Sequence, residues 1–555
     1  MMNTPTDLLR QPPKFDAMPR HTGPNVPAAP AEPRLAINDI QGNVFPGFNK
    51  PTTYFTAFRI DDAAGAKAWL AEILPFISTA EEVLAFRRLY SARRKRLGGS
   101  KPPDLVDTNS NVGFSYMGLH KLAGQSADEF EDDGFRLGLP RRAARMGDST
   151  DPNEWVIGGP GRIPDILLIT GGDDEDILRA RVTALTEAAE KRGVVKMWEE
   201  VGLVRRDLPG HEHFGFEDGV SQPGPRGTLS DIPDDYLTPR YIDASEGVEA
   251  LLYGLPGQDL VWPGEFVFGY PGQGPDPLVA GPVMSAGPAW AANGSYLAFN
   301  RLRQDVKAFW TFMTETAAEM ATQPGFEGMT PDKLAAHLVG RWKSGAPVAR
   351  TPDADDPELG QNQYANNHFF YGSGTKQVSL HRMPQYGSGD PYPDAKADPL
   401  GLTCPLAAHI RKVNTRDVSN DQGGTHATYA VRLLRRGMPF GLPLEDPFGP
   451  DPEHGNRGLM WVSYQTSIVN QFEFLRGNWM GDAKPPRMPG GDDMIVGMNG
   501  RPGEERERKC VIFGSGLQTA TPSTRQEWIF QTGGGYFFSP SISAIRDVLA
   551  RTETS

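Results

Sequence analysis

The chain has 555 residues, of which 38% are hydrophobic, and it carries a formal net charge of -13 at pH 7. A chain of this length can bury more than one core, which indicates a large globular protein of two domains. The negative charge argues against nucleic acid as a partner, because phosphates demand a basic surface. Only two cysteines are present, Cys404 and Cys510, so no disulfide framework is expected and a reducing compartment is favoured.

Residues 1–36 are rich in proline, alanine and polar residues. They contain no apolar core of the roughly 7 to 15 residues that a secretory signal needs. No run in the chain approaches the roughly 20 apolar residues of a membrane span. We therefore expect a disordered tail over residues 1–36, no contact with a membrane and a cytoplasmic location.

The periodicity beyond the tail predicts alternating strands and helices. Strands are predicted at 54–60, 165–170, 265–269 and 296–299, and helices at 64–74, 174–192 and 302–320. No glycine fingerprint for a dinucleotide accompanies them, so this pattern predicts an α+β fold of two ferredoxin-like halves. We place these halves at 37–240 and 241–550, and interpret the Pro-, Gly-, Asp- and Asn-rich segment 347–401 as a long surface insertion.

The turn Gly215–Pro223, with the sequence GFEDGVSQP, holds two acids between glycines directly after a histidine-rich segment. Glycines permit unusual backbone angles and leave room for a large flat ligand. An ordinary solvated loop explains these residues alone about equally well. Alternation along the turn would send Glu217 and Asp218 to opposite faces, so only one can meet a ligand, and we choose Asp218.

The segment CPLAAHIRKVNTR at 404–416 has the apolar spacing of a short helix, and His409 lies on its apolar stripe. Arg411 and Lys412 are predicted to point the other way, toward solvent or an anionic ligand. A lone histidine on an apolar helix face is more often a hydrogen-bonded core residue than a metal ligand. A buried neutral imidazole is nevertheless what an iron porphyrin needs as its fifth ligand.

These two segments and the run LRRGMPFG at Leu434–Gly441 resemble, in this order, three motifs of the dye-decolorizing peroxidases, a family of haem b enzymes. The likeness covers about 37–546 and is closer to the long forms with insertions in the second half. Thr415 departs from the pattern, because related motifs carry proline there. Further family-like segments are DIQGNVFPGF at 39–48, GEFVFGYP at 264–271, NGSYLAFNRLRQDVKAFW at 293–310 and GGGYFFSPS at 533–541.

The resemblance implies that the antiparallel sheets of the two halves pack as a sandwich with helices outside, the dimeric α+β barrel type of fold. It implies a non-covalent haem b in the second half, with the acid-bearing turn reaching over it. The implied activity is reduction of hydrogen peroxide through a ferryl intermediate, with oxidation of bulky dyes, phenols or similar small aromatic reductants.

The resemblance also assigns roles to residues. His409 would ligate the haem iron, Asp218 would move a proton between the peroxide oxygens, and Arg435 would polarise the O–O bond. Arg416, two turns along the helix from His409, would pair with a haem propionate, because a guanidinium binds a carboxylate bidentately. A carboxylate should accept the second ring N–H of His409. Glu473 is our candidate for it, although a surface helix acid explains that residue equally well.

Two other functions remain open from the sequence. A haem-binding or iron-handling protein without turnover would need only His409 and an apolar pocket. A non-haem metal oxidoreductase could use His211, His213 and Glu217 as ligands, but it leaves the segments around His409 and Arg435 unexplained. The physiological reductant and the oligomeric state are not predicted.

Overall fold

The computed structural model describes residues 28–232, 234–381, 389–452, 455–488, 490–497 and 506–551. Most of the predicted tail, residues 1–27, lies outside these ranges. Residues near its end are packed, because Leu35 is only 3% exposed and the carboxylate of Glu32 pairs with Arg226 and Arg240 at 3.1 and 2.6 Å. The prediction of a disordered tail is therefore wrong for its last residues.

Nine strands of the described chain form one antiparallel sheet. They are β1 (Thr52–Ile60), β2 (Thr108–Phe114), β3 (Ile166–Gly172), β4 (Val194–Leu203), β5 (Ser295–Gln304), β6 (Leu434–Arg435), β7 (Met438–Phe440), β8 (Gly458–Gln465) and β9 (Ile529–Ser539). The first half is ordered β4-β1-β3-β2. In the second half β6 and β7 pair with successive stretches of β8, which gives the order β6/β7-β8-β5-β9. Both halves therefore have the ferredoxin-like strand order.

The two half-sheets join along both outer edges. Phe440 of β7 pairs with Gly202 of β4, and Phe538 of β9 pairs with Phe114 of β2. Phe55 and Phe299, one from each half, stack in the interior with ring centroids 5.6 Å apart. The predicted fold of two ferredoxin-like halves packed face to face is confirmed. The edge pairings close the strands into a barrel, which leaves neither half with a long open edge.

Strand alternation separates the barrel interior from the outer layer. Leu167 and Ile169 of β3 belong to the interior cluster, whereas Ile166 and Leu168 belong to the cluster under the helices. Outside lie the α-helices α1 (Ala63–Ile73), α2 (Ala80–Arg96), α3 (Tyr116–Ala123), α4 (Asp133–Leu137), α5 (Leu139–Arg142), α6 (Glu175–Glu190), α7 (Val248–Leu252), α8 (Val306–Met320), α9 (Pro331–Val339), α10 (Pro357–Gln361), α11 (His409–Val413) and α12 (Ile542–Ala544). In the described part of the chain, no helix has both the length and the apolar character needed to span a bilayer.

Shorter elements complete the fold. Wider π-helical turns occur at Ile468–Glu473, Leu475–Met480 and Ile545–Leu549. Two-stranded ribbons pair Gly224–Pro225 with Leu260–Val261, Pro271–Gln273 with Ala280–Val283, Arg508–Lys509 with Ser523–Thr524, and Ile512–Phe513 with Thr519–Ala520. Short 3₁₀ helices occur at Leu74–Phe76, Gly124–Glu129, Ala143–Met146, Pro152–Glu154, Ala244–Glu246, Pro263–Glu265, Ala289–Ala291, Ala427–Val431 and Ser515–Leu517. The predicted helix at 302–320 begins later, at Val306, because Leu302 still belongs to β5 and Asp305 caps the helix.

The segment 347–401, predicted as a surface insertion, is partly buried where it is described. Phe369 and Tyr371 are 0% and 1% exposed. The guanidinium of Arg416 lies over the Phe369 ring at 3.7 Å. The surface prediction is therefore wrong for these residues, which support one wall of the cavity described next.

Candidate active site

A largely apolar cavity lies on the outer face of the second half-sheet. Alternation along β8 sends Met460 and Val462 into the barrel, whereas Leu459 and Trp461 face the cavity. The turn at 212–223 and helix α11 contribute further walls. Its other apolar lining residues include Phe214, Phe216, Val339, Ile410, Val413, Leu433, Phe472, Leu475, Met480, Ile495, Val496 and Ile529.

His409, the first residue of α11, lines this cavity with 28% of its side chain exposed. Its Nδ1 lies 2.7 Å from Oδ2 of the fully buried Asp493, whose other oxygen accepts the backbone N–H groups of Ile495 and Val496. Burial alone would raise the pKa of Asp493, but His409 and the backbone N–H of Val496 hold that pKa below its usual value. The carboxylate is ionised and accepts Nδ1–H, so Nε2 is the ring nitrogen left to bind a metal ion.

The predicted acceptor for His409, Glu473, is wrong. Glu473 instead accepts hydrogen bonds from Nε of Arg142 at 2.8 Å and from the hydroxyl of Tyr536 at 3.2 Å. It is also not a surface acid, since only 2% of its side chain is exposed. Asp493 follows His409 by 84 residues and lies outside any periodic element, so no sequence pattern linked the two.

The cations beside His409 are buried, contrary to the prediction that they face solvent or a ligand. Lys412 is 0% exposed, and its Nζ donates to three backbone carbonyls of the segment 482–491 at 2.7 to 2.8 Å. Burial lowers the pKa of Lys412 to about 8. Arg411 is 4% exposed. Because 482–491 leads directly to Asp493, Lys412 helps to hold the acid that orients His409.

Asp218 and Arg435, predicted as partners in catalysis, are brought together at the same cavity. Oδ1 of Asp218 lies 3.3 Å from Nη1 of Arg435, and their side chains are 36% and 27% exposed. The other end of the guanidinium donates to the carbonyl of Ser221 at 2.8 Å. The backbone N–H of Gly219 donates to Asp218 Oδ1 at 2.7 Å. A carboxylate and a guanidinium in this arrangement can accept a proton and stabilise an anion side by side.

Two residues that sequence reasoning missed hold this arrangement. Gln222 exchanges two hydrogen bonds with the backbone of Arg435, at 3.1 and 3.2 Å, which ties the turn to β6. Glu212 accepts the backbone N–H groups of Phe214 and Phe216 at 2.8 and 2.9 Å, and burial raises its pKa. Only an acid between two histidines marked Glu212 in the sequence, which is a weak signal.

Arg416 lies at the cavity wall but not on the helix predicted to carry it. Helix α11 ends at Val413, and Arg416 has a left-handed backbone with φ of 53°. Its guanidinium, in a residue only 7% exposed, donates to the carbonyls of Asn367 and Phe369 at 3.2 and 3.0 Å. The prediction of its helical position is wrong, and its pairing with a haem propionate stays a prediction.

Arg341 and Arg432 line the cavity together with Arg416. Burial lowers the pKa of Arg341 to about 9, and the charge of Arg416 contributes to this. Of these three arginines, only Arg432 has a described carboxylate within ion-pair distance, Asp259 at 3.4 Å, and the Nε of Arg432 has no hydrogen-bond partner among the described residues. The cavity therefore combines apolar walls, an imidazole nitrogen without a partner among the described residues, and excess positive charge, which fits an iron porphyrin with carboxylate side chains.

The alternative metal site at His211, His213 and Glu217 is not supported. His213 is 5% exposed and donates from Nε2 to the carbonyl of Phe440 at 2.8 Å, and burial lowers its pKa to about 4. His211 donates from Nδ1 to the carbonyl of Pro209. Within the ranges that the structure describes, no three His, Cys, Asp or Glu side chains are grouped to hold a metal ion.

A second cavity, of about 380 Å³, is more polar and adjoins the first. Exposed residues at its rim include Asn49, Gly210 and Gly437, so it opens to solvent. The two cavities share the lining residues Glu212, Asp218, Gly219, Arg435 and Leu459. Asp218 and Arg435 thus stand between a polar chamber and the apolar cavity that contains His409.

The sequence is similar to known proteins along nearly its whole length. A family model described as DyP dimeric alpha+beta barrel domain matches residues 39–206. The dye-decolorizing peroxidase msp1 of Mycetinis scorodonius is 30% identical over 98% of this chain and 93% of the relative. The dye-decolorizing peroxidase AauDyP1 of Auricularia auricula-judae is 30% identical over 94% of this chain and 89% of the relative.

Solved structures agree with these similarities. An ancestral D-type dye decolorizing peroxidase matches with a TM-score of 0.70 at 28% identity, covering 93% of this chain and 100% of the other. A dye-decolorizing peroxidase in complex with 2,6-dimethoxyphenol matches with a TM-score of 0.67 at 27% identity, with the same coverage of 93% and 100%. The similarity therefore includes both halves of the barrel and the cavity on the second half.

Proposed function

Since the chain belongs to the dye-decolorizing peroxidase family and is a peroxidase, we propose that it uses non-covalent haem b to reduce hydrogen peroxide at the expense of dyes, phenols or similar aromatic reductants. The observation that carries this proposal is the Asp218–Arg435 pair at 3.3 Å, in the same cavity as His409, whose Nε2 has no hydrogen-bond partner among the described residues. A protein that only carried haem would need the histidine and the apolar walls but not this pair.

His409 and the cavity arginines are the residues that would hold the cofactor. His409 would bind the iron through Nε2, while Asp493 keeps the ring in the required tautomer. Arg341, Arg416 and Arg432 would face its carboxylates. Bound haem would supply an iron that takes one peroxide oxygen and stores the two oxidising equivalents released when the O–O bond breaks.

The chain's own part in that cleavage is to move a proton and to stabilise charge. Asp218, as a carboxylate, accepts the proton of the near peroxide oxygen and returns it to the far oxygen, which leaves as water. Arg435 stabilises the negative charge that develops on this leaving oxygen. Two one-electron oxidations of aromatic molecules, with two protons, then complete the reduction of one peroxide to two waters.

Rapid mixing of the haem-loaded protein with hydrogen peroxide tests the proposal. The haem absorption should change at a rate proportional to the peroxide concentration and return when a phenol or dye is added. Steady-state assays should then show the coloured dye bleaching only in the presence of peroxide. Haem binding without a spectral response to peroxide would leave a non-catalytic haem-binding protein as the better description.

A further inference from the structure

The polar cavity carries more positive charge than its neighbours neutralise. Its cationic lining side chains belong to Lys50, Arg87, Arg205, Arg435 and Arg436. Three of these have acidic partners: Lys50 lies 2.7 Å from Asp173, Arg205 lies 2.5 Å from Asp207, and Arg435 lies 3.3 Å from Asp218. The remaining two, Arg87 and Arg436, pair with no carboxylate among the described residues.

The guanidinium of Arg436 is bound by backbone carbonyls, and by no other group in the described part of the chain. Its Nε, Nη1 and Nη2 donate to the carbonyls of Asn43, Arg435 and Val44 at 3.1, 2.9 and 2.9 Å. Burial lowers its pKa to about 10, and the charge of Arg87 contributes. Arg436 therefore stays cationic at neutral pH, and three bonds to neutral carbonyls leave its charge uncompensated.

Arg87, on helix α2, places its guanidinium close to the backbone segment that Arg436 also contacts. Its Nη2 donates to the carbonyl of Gly47 at 2.6 Å. Gly47 also touches Arg436, since a Cβ at this position would lie 2.3 Å from the Arg436 Nε. Both guanidinium groups therefore lie next to Gly47, and Arg87 retains N–H groups that make no other hydrogen bond to the described protein.

Among the described residues two acids line this cavity, Asp218 and Glu212, and neither offsets the two cations. Asp218 is paired with Arg435. Glu212 is buried, bound by N–H donors, and has a raised pKa. Partly desolvated cations without a counter-charge are costly unless an anion binds between them.

We propose that Arg87 and Arg436 form an anion subsite in the polar cavity that binds the carboxylate or sulfonate group of an aromatic reductant. A guanidinium fork binds such planar or trigonal oxyanions with two parallel hydrogen bonds. The cavity of about 380 Å³ is within the size range of small-molecule sites, roughly 300–1,000 Å³. The ring of a bound molecule would lie beside Asp218 and Arg435, which border the same cavity.

This subsite extends the proposed peroxidase function, because it would select anionic reductants even though the chain as a whole carries a net charge of -13. Global charge sets long-range attraction, whereas a local pair of cations sets which group binds once a molecule enters. Binding at the subsite can be measured without catalytic turnover. An absence of peroxidase activity would therefore be distinguishable from an absence of anion binding at the subsite.

Equilibrium binding to the haem-loaded protein, measured by titration calorimetry without peroxide, tests the subsite. The probes are 4-hydroxybenzoate and 4-hydroxybenzyl alcohol, which share the phenol ring and differ in the carboxylate. The native protein should bind the benzoate about tenfold tighter or more, as a charged hydrogen bond allows. Arg87→Gln, which keeps an N–H for the Gly47 carbonyl, should abolish this preference and leave binding of the alcohol unchanged.

Arg96→Gln is the matched control, because Arg96 lies exposed on the same helix and the substitution removes the same charge. Arg96→Gln should retain the preference for the benzoate. Arg87→Gln should keep the native fold, as judged by an unchanged melting temperature. Arg436→Lys, which keeps the charge but loses the fork, should weaken the preference. The proposal is overturned if Arg87→Gln keeps the preference or if Arg96→Gln loses it equally. It is also overturned if inorganic phosphate displaces 4-hydroxybenzoate with a lower dissociation constant than that of 4-hydroxybenzoate itself.

Discussion

At the scale of single residues, Asp493 decides which nitrogen of His409 is available. Its buried carboxylate receives Nδ1–H and at the same time accepts two backbone N–H groups, so both oxygens are committed. A carboxylate in this position raises the basicity of the imidazole and holds its orientation. Asp493 therefore determines which nitrogen of His409 is available as the proposed ligand of the haem iron.

Asp493→Asn should weaken haem binding about 10- to 100-fold, the usual cost of losing such a partner. The amide NH₂ would face Nδ1 and favour the tautomer with hydrogen on Nε2, which removes the lone pair from the cavity. Haem titration followed by absorbance measures the effect. The neighbouring Asp492→Asn is the control and should bind haem normally, and equal affinity in both variants would contradict the role given to Asp493.

Asp218 and Arg435 are proposed to act on peroxide, whereas His409 is proposed to hold the haem iron. Loss of either Asp218 or Arg435 should therefore slow the reaction with peroxide without removing the haem. Arg435→Leu should slow the reaction with peroxide by about 10²–10³-fold, because one preorganised donor is lost where charge develops. Asp218→Asn should slow it by about 10²–10⁴-fold, because the amide cannot accept the proton. Rapid-mixing rates are compared only after both variants are shown to hold a full complement of haem. Native rates in both would exclude the proposed cleavage step.

At the scale of elements, the turn at 212–223 is fixed in position by hydrogen bonds within itself and to β6. Glu212 binds two N–H groups within the turn, and Gln222 binds the turn to β6. The turn therefore delivers Asp218 to Arg435 across 217 residues of sequence separation. Its glycines supply the needed backbone angles, with φ of 98° at Gly215 and 78° at Gly219.

Glu212→Gln should slow the reaction with peroxide by up to about 10²-fold while leaving haem affinity unchanged, because misplacing a reacting group by about 1 Å has that cost. One amide nitrogen would face a backbone N–H, which costs about 1–3 kcal/mol of stability as well. The control is Glu217→Gln on the same turn, whose Oε2 has no hydrogen-bond partner among the described residues. If the control slows as much as Glu212→Gln, the turn is not held by Glu212.

At the scale of the whole molecule, the seam between the two half-sheets is also where the turn is anchored. His213 donates to the carbonyl of Phe440, the residue of β7 that pairs with Gly202 of β4. The turn, the second half-sheet and the first half-sheet therefore meet at one buried imidazole. Protonation of that imidazole bears on the stability of the whole fold.

Stability should fall in acid because of His213. Burial lowers its pKa to about 4 from an ordinary 6.5, so below pH 6.5 the unfolded chain takes up a proton that the folded chain does not. The contribution is fully present above pH 6.5 and is lost as the pH falls to about 4, by up to about 3 kcal/mol. Urea unfolding across this range measures it. His213→Gln keeps an N–H for Phe440 and should lessen the loss, whereas the half-buried His211→Gln should not.

Much of the fold could be predicted from the sequence, because periodicity is a local property. Alternation in 54–60 and 165–170 corresponds to β1 and β3, and the helical spacing of 64–74 to α1. Motif order then indicated the family. Three residues of the candidate site, Asp218, His409 and Arg435, could be named for the same reason, since each lies within a short recognisable motif.

The remaining features depend on tertiary contacts between distant segments. The pairing of Asp493 with His409 and the burial of Lys412 arise from a loop that folds back onto α11. The segment 347–401 looked solvated from its composition, yet Phe369 supports Arg416. The sequence by itself determined several strands and helices and the reactive side chains, because local spacing and short motifs specify them, although the strand predicted at 265–269 is a 3₁₀ turn followed by loop in the structure. Only the tertiary structure decided which buried polar groups form hydrogen bonds with one another. Burying a charge without a partner is costly, and the partner often comes from a segment distant in the sequence.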